Sequence, residues 1–402
     1  MAERVAITGG ASQNLACMLQ VFTDPVFTRN VWIVAPAYML AFRIFTDSGF
    51  GAKMRAVPED EEGVDVGFLR KEIEKSEKRA RDEGNSEPKI KPARPWSKIY
   101  RHVIYAVPSF ANPSSKTMSL RRREDLVRVA REFDALIITD DVYDHLQWSA
   151  KPSPKAVLDK AVLPRIVDVD RYLDGGAERD GADGFGNAAS NGSFSKICGP
   201  GVRTGWVEGT PKLAWGVSQT GSTRSGGAPS QLVATFLADA LESGHIQRHI
   251  YSTLQPAYAA RYRALVAAMH EHLVPLGARL PQSDRQVAGG YFVWVTLPAA
   301  LDGATIAERA RDDENLIVAQ GALFEVPGSG GGGDADGHDA PENAITFPHD
   351  VRLCFAWEAE DALEEGVIRL ARVMKKMLSG EKSGMRPEPD KDQAGKEPRN
   401  FW

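Results

Sequence analysis

Cysteine is scarce in this 402-residue chain: Cys17, Cys198 and Cys354 are the only three, and they stand far apart in no metal-ligand spacing. That excludes a disulfide scaffold or a zinc ribbon and suits a reducing, cytoplasmic setting. Long apolar runs are missing as well. None approaches the roughly 18 residues needed to span a bilayer, so no membrane partner is expected. Nor is there an excess of positive charge: 49 Lys and Arg against 54 Asp and Glu leave a net charge of −5. Nucleic acid is therefore excluded as the main partner, because no basic surplus exists to replace its counterions. The opening residues, MAERVAITGG, hold no apolar stretch of the kind a secretory signal requires. What is present is an ordinary globular composition, 43% hydrophobic and 26% charged, with length enough for two domains.

Apolar spacing gives the organisation. Leu15, Met18, Leu19 and Phe22 predict a helix from Ser12 that stops at Asp24-Pro25. VWIVA (31–35), VIYAV (103–107) and ALIIT (135–139) predict buried strands. A helical stretch runs from Tyr38 to about Ser48 and ends at Gly49. Residues 59–98 predict a surface helix and a proline-rich loop, and 119–134 a helix that turns Leu120, Leu126, Val127 and Ala130 to the core. Strands alternating with helices predict an α/β fold with a mostly parallel sheet between helix layers, and ligands in such sheets gather at the carboxyl ends of strands. Asp140 follows one such end directly. A long helical region (229–275) and the alternating GGYFVWVTLP (289–298) predict a second, antiparallel or mixed unit. The stretches 174–192 and 328–343, rich in small and polar residues, are expected to be surface insertions, and the charged tail from 380 to be disordered.

The densest chemical signal is SNGSFSKICGPGVRTGW (190–206). A lysine that condenses with an aldehyde must shed its proton readily, which calls for a partly desolvated, cation-rich site. The hydroxyls of Ser193 and Ser195 and the guanidinium of Arg203 suit a phosphate dianion beside Lys196. Taken alone, a Ser-x-Ser-Lys run is as compatible with a solvated loop.

This segment resembles the lysine motif of the class I/II aminotransferases, fold-type I enzymes that use pyridoxal 5′-phosphate. Other blocks follow in that family's order. ITGGASQNLACMLQVFTDP (7–25) resembles its phosphate-cradling turn and helix, and VAPAYMLAFRIF (34–45) the segment that supplies a stacking aromatic. VPSFANPSSKTMSLRRREDLVRVA (107–130) resembles its Asn-Pro motif and LIITDDVYDHL (136–146) its Asp-x-x-Tyr motif. GGYFVWVTLP and VRLCFAWEAEDALEEGVIRLARVM (351–374) resemble the second-domain strand and the carboxylate-binding arginine segment. The branch most similar includes 2-aminoadipate, kynurenine and aromatic aminotransferases.

The resemblance implies a Schiff base at Lys196, which then serves as the base that moves the substrate's Cα proton. It implies that Asp140 pairs with the cofactor's pyridine nitrogen, that Asn112 and Tyr143 bond its phenolic oxygen, and that Tyr38 stacks on its ring. The backbone N–H groups of Ala11 and Ser12 would hold the phosphate with Ser193, Ser195 and Arg203. Arg352 would clamp the substrate carboxylate, with Asn112 beside it. Asp141 is set aside, because strand alternation points it away from Asp140. The implied architecture is a large cofactor domain (1–255) and a small C-terminal domain (256–379), in a homodimer. The family carries a further segment before the phosphate-cradling turn, so the large domain is expected to be truncated at its N-terminal side. Amino transfer between an amino acid and a 2-oxo acid is the leading activity. Elimination, replacement or cyclisation on the same cofactor, a ligand-sensing domain and an inactive fragment remain as rivals.

Overall fold

The computed structural model describes residues 2–92, 94–151, 158, 160–227, 229–281, 286–328 and 344–381. The expectations for 329–343 and for the tail beyond 381 fall outside them. The strands in chain order are β1 Val5–Thr8, β2 Asn30–Ala35, β3 Met54–Asp60, β4 Gly63–Val64, β5 His102–Ala106, β6 Ala135–Asp140, β7 Gln147–Ser149, β8 Ala188–Ser193, β9 Gly205–Glu208, β10 Val287–Gly289, β11 Phe292–Thr296, β12 Ala319–Gln320 and β13 Asp350–Cys354. Eight of them form one sheet in the order β1-β9-β8-β6-β5-β2-β3-β4. Its five inner strands, β8, β6, β5, β2 and β3, run parallel, and β1, β9 and β4 pair antiparallel toward the edges.

Period-two alternation sorts the side chains of this sheet into two cores. Val31, Ile33, Val103, Tyr105, Leu136, Ile138 and Ala189 pack with helices α1 (Ala11–Phe22) and α2 (Met39–Phe45) on one face. Trp32, Ile104, Ala135, Ile137 and Ala188 pack on the other face, against α3 (Val66–Asp82), α4 (Leu120–Glu132) and α5 (Ile166–Tyr172). Two short helices, α6 (Pro211–Ser218) and α7 (Gly221–Arg224), lead to α8 (Gln231–Glu242) and α9 (His245–His249). A second, antiparallel sheet, β11-β13-β12, packs in a core of its own with α10 (Gln255–His272), α11 (Gly303–Glu314) and α12 (Glu360–Leu378). Among the described residues no helix is long and apolar enough to cross a membrane.

Three expectations need correcting. The stretch 174–192 is not a surface insertion throughout, because its last residues are β8, buried at every position in the middle of the sheet. Smallness, not exposure, explains its composition: a Cβ on Gly192 would lie 2.1 Å from the Trp206 ring. The polar side chains of β8 are satisfied locally, as where Ser190 donates to Asp141 and Asn191 to the Ala11 carbonyl. In α4, Leu120 is exposed, and Arg123 is the buried residue, its guanidinium bonded to the carbonyls of Met118, Pro108 and Pro164 and to Ser109. Finally, the stretch 59–98, read as helix and loop, opens with the end of β3 and the whole of β4.

The turn after α1 is tied down by Asp24, which is fully buried and accepts four backbone N–H bonds, from Val26, Phe27, Ile90 and Lys91. Burial opposes its ionisation, but the four donors outweigh it and hold its pKa at about 2, against an ordinary 3.8. Its stabilisation is complete above 3.8 and is lost as pH falls toward 2. Asp24→Asn is expected to cost about 2 kcal/mol at neutral pH. Urea unfolding across an acid series should show that difference closing as the wild-type carboxylate is protonated.

Candidate active site

Asp140 ends β6 and shares the parity of Leu136 and Ile138, so its carboxylate emerges on the α1/α2 face at the carboxyl edge of the sheet. Tyr105, on the same face of the neighbouring β5, donates its hydroxyl to Oδ2 at 3.1 Å. Oδ1 is buried, with no hydrogen-bond partner among the described residues. Burial raises the Asp140 pKa to about 6; the nearby Asp141 charge adds to the rise, and the Tyr105 bond and Lys196 ammonium oppose it. Asp141 has the opposite parity and takes bonds from Thr139 and Ser190 on the far face, as alternation required.

Lys196 closes a single 3₁₀ turn, Phe194–Lys196, directly after β8. It is half-buried, burial lowers its pKa, and its ammonium lies 5.2 Å from the centre of the Tyr291 ring. Beside it the N-terminus of α1 has no side-chain cap. Gly10 opens that helix at φ 112°, a conformation that favours glycine. A Cβ there would meet Arg203 Nη2 at 3.3 Å and Ser193 Oγ at 3.5 Å. Ser193 Oγ donates to Ser195 Oγ at 3.0 Å, and Arg203 Nη2 donates to the Gly9 carbonyl at 3.0 Å. An α1 N-terminus without a side-chain cap, two hydroxyls and a guanidinium thus lie together, which is the chemistry that suits an anion.

Tyr38 stands just before α2, and Tyr143 is buried in the loop after β6. Burial raises both phenols, and the Asp140 charge raises them further, which places both within that carboxylate's field. Arg352 reaches in from β13 on the second sheet and donates to Asn112 Oδ1 at 2.8 Å. Its guanidinium lies 4.0 Å from the centre of the Phe292 ring and 4.8 Å from that of Phe324. Its Nε is buried without a partner, and among the described residues no carboxylate pairs with it. A partly buried guanidinium without a counter-ion among the described residues is costly to hold.

Contacts therefore group Ser193, Ser195 and Arg203 with the N-terminus of α1, Tyr38, Tyr143 and Lys196 within the field of Asp140, and Asn112 with Arg352. Sequence reasoning missed four neighbours. Asn14 is one, although a polar residue on the apolar face of α1 was a signal. Tyr105 shares its face with Asp140, which only strand pairing reveals. Cys354 stands two residues beyond Arg352 on β13, within the fields of Lys196 and Arg352. Tyr291 lay inside a block read as strand alone.

A parallel sheet carrying such groups at its carboxyl edge, with a smaller antiparallel unit closing over them, is the architecture of fold-type I transferases. The family described as aminotransferase class I and II matches residues 1–367, and the chain belongs to it. An uncharacterized protein of Saccharomyces cerevisiae, YER152C, is 37% identical over 81% of this chain and 71% of its own length. Aromatic-amino-acid aminotransferase 1 of Thermococcus litoralis is 26% identical, covering 93% of this chain and 73% of that one. The crystal structure of the kynurenine aminotransferase of Pyrococcus horikoshii with PMP superposes at a TM-score of 0.67, with 26% identity over 93% of this chain and 75% of that one. The protein is an aminotransferase, of a family that depends on pyridoxal phosphate.

The raised pKa of Asp140 makes a prediction about stability. Without a cation against Oδ1, ionising this carboxylate costs more folded than unfolded, so the penalty grows as pH rises from 3.8 through about 6. Asp140→Asn should stabilise the cofactor-free protein by about 3 kcal/mol at neutral pH and leave it unchanged below 3.8. Thermal or urea unfolding of the two proteins at both extremes checks the sign.

Proposed function

We propose that Lys196 carries pyridoxal 5′-phosphate and that the enzyme moves an amino group from an amino acid to a 2-oxo acid. The observation that carries this reading is the Oδ1 of Asp140, buried and without a hydrogen-bond partner among the described residues, in a carboxylate whose charge acts on the half-buried Lys196. When bound, the cofactor supplies a protonated ring that accepts the electron pair left as the substrate's Cα proton departs. Asp140 would hold that ring nitrogen protonated. Tyr38 would cover the ring, Asn112 and Tyr143 would bond its phenolic oxygen, and the N–H groups of Ala11 and Ser12 with Ser193, Ser195 and Arg203 would hold the phosphate.

Arg352 binds the α-carboxylate in two prongs, and Asn112 and the two phenyl rings against its guanidinium fix the plane in which it does so. Lys196, its proton loosened by burial, takes and returns the proton at Cα. Separate cores for the two sheets, with α10 starting at Gln255, support a division into large and small domains near residue 255. Three free cysteines support a cytoplasmic location.

Purified protein reconstituted with pyridoxal phosphate should show a visible-range band that borohydride abolishes, and Lys196→Ala should lack it. A band of full intensity in Lys196→Ala would move the site elsewhere. Assembly as a homodimer is part of the proposal, supported by Leu232 and Phe236, which stand one turn apart on α8 and are 67% and 64% exposed. Phe236→Glu is expected to shift the mass seen by light scattering from dimer to monomer, and an unchanged dimer would place the interface on another surface.

A further inference from the structure

We propose that Tyr291 is a positioning residue for Lys196, holding the lysine's peptide with its hydroxyl and the lysine's ammonium with its ring. This rests on the reading of Lys196 as the cofactor-bearing lysine. Three contacts converge on one side chain. Tyr291 donates its hydroxyl to the Lys196 carbonyl at 3.0 Å, its ring faces the Lys196 Nζ at 5.2 Å, and that ring meets the edge of Tyr143 at 5.4 Å between centroids. A carbonyl only accepts, so the Tyr291 proton points to Lys196. The Tyr258 hydroxyl, 3.1 Å from that of Tyr291, must then be the donor to it. The result is a one-way chain, Tyr258 to Tyr291 to the Lys196 carbonyl, in which each bond polarises the next.

The backbone is built to deliver this ring. Gly289 and Gly290 precede it, and Gly290 N–H donates to the Leu146 carbonyl at 3.0 Å. A Cβ on Gly289 would lie 2.6 Å from that same oxygen and 2.7 Å from the Phe110 ring. Gly290 holds φ 72°, and a Cβ there would lie 3.0 Å from Phe110 Cβ. Only a glycine pair lets the chain press this close between the two units and still turn Tyr291 onto the lysine. On its far side Tyr291 is held by Phe355, whose N–H donates to its carbonyl at 3.0 Å.

The two halves of the side chain do different work. The hydroxyl fixes the peptide from which the lysine side chain extends, so that Nζ returns to the same place after each proton transfer. The ring's electron-rich face stabilises the ammonium and opposes the loss of charge that burial favours. Burial and ring together set how readily Lys196 gives up its proton. A side chain that merely filled space would leave that property untouched.

The test separates these roles. Cofactor-free wild type, Tyr291→Phe and Tyr291→Leu are labelled with a trace of an amine-acylating reagent across the neutral and alkaline range, and the Lys196 peptide is quantified by mass spectrometry. Tyr291→Phe keeps the ring and should titrate as the wild type does. Tyr291→Leu loses it, and its Lys196 pKa should fall by about half a unit to one unit. Both lose the hydroxyl and should retain pyridoxal phosphate about fivefold less tightly in equilibrium dialysis. A Lys196 titration in Tyr291→Leu that overlays the wild type, or wild-type cofactor retention in Tyr291→Phe, overturns the proposal. Failure of the underlying reading is distinguishable: a visible band surviving in Lys196→Ala removes Lys196 as the cofactor lysine, whatever the Tyr291 variants show.

Discussion

The site depends on one buried amide. Asn14, fully buried in the first turns of α1, points its Nδ2 at Asn191 Oδ1 (2.7 Å), the Gly192 carbonyl (3.0 Å) and the Trp206 carbonyl (2.9 Å), and its Oδ1 accepts from the Thr8 hydroxyl. One side chain thus fixes the helix to strands β1, β8 and β9 at once. Because β8 runs directly into the turn that bears Lys196, that amide also fixes where Lys196 stands relative to the N-terminus of α1. The backbones close around it: a Cβ on Gly205 would lie 2.4 Å from the Gly192 carbonyl and 2.7 Å from the Gly10 Cα.

Around this fixed frame the protein leaves its functional groups unpaid. Among the described residues Asp140 Oδ1 and Arg352 Nε are buried without partners, and Lys196 is stripped of much of its water. Each such group costs more than an ordinary hydrogen bond returns, roughly 1–3 kcal/mol against about 1 kcal/mol. Two well-packed cores on the faces of the large sheet and a third behind the small one absorb that cost. On the proposed function, these unpartnered groups are the ones that a cofactor's ring nitrogen and a substrate's carboxylate would satisfy.

Much of this was legible in the chain, and the exceptions share a cause. VWIVA, VIYAV and ALIIT announced themselves as strands because both of their faces are buried, and Asp140 was found because it follows such a run. The same alternation rightly turned Asp141 away. β8 was missed because a strand crossed by α1 on one face and flanked by Trp206 must be made of Ala, Ser, Asn and Gly, a composition that also suits a loop. β3, MRAVPED, hides its buried Met54, Ala56 and Val57 among Arg55, Glu59 and Asp60. Tyr105, Tyr291 and Asn14 act on residues 35, 95 and 177 positions away, and no local pattern encodes such pairings.

The most direct measurement locates the cofactor itself. Protein loaded with pyridoxal phosphate is reduced with borohydride and digested, and the pyridoxyl adduct is mapped by mass spectrometry. The structure predicts the adduct on the peptide that carries Lys196. An adduct on any other lysine, or none at all, would contradict the convergence of Asp140, Lys196 and the α1 cradle on one bound cofactor.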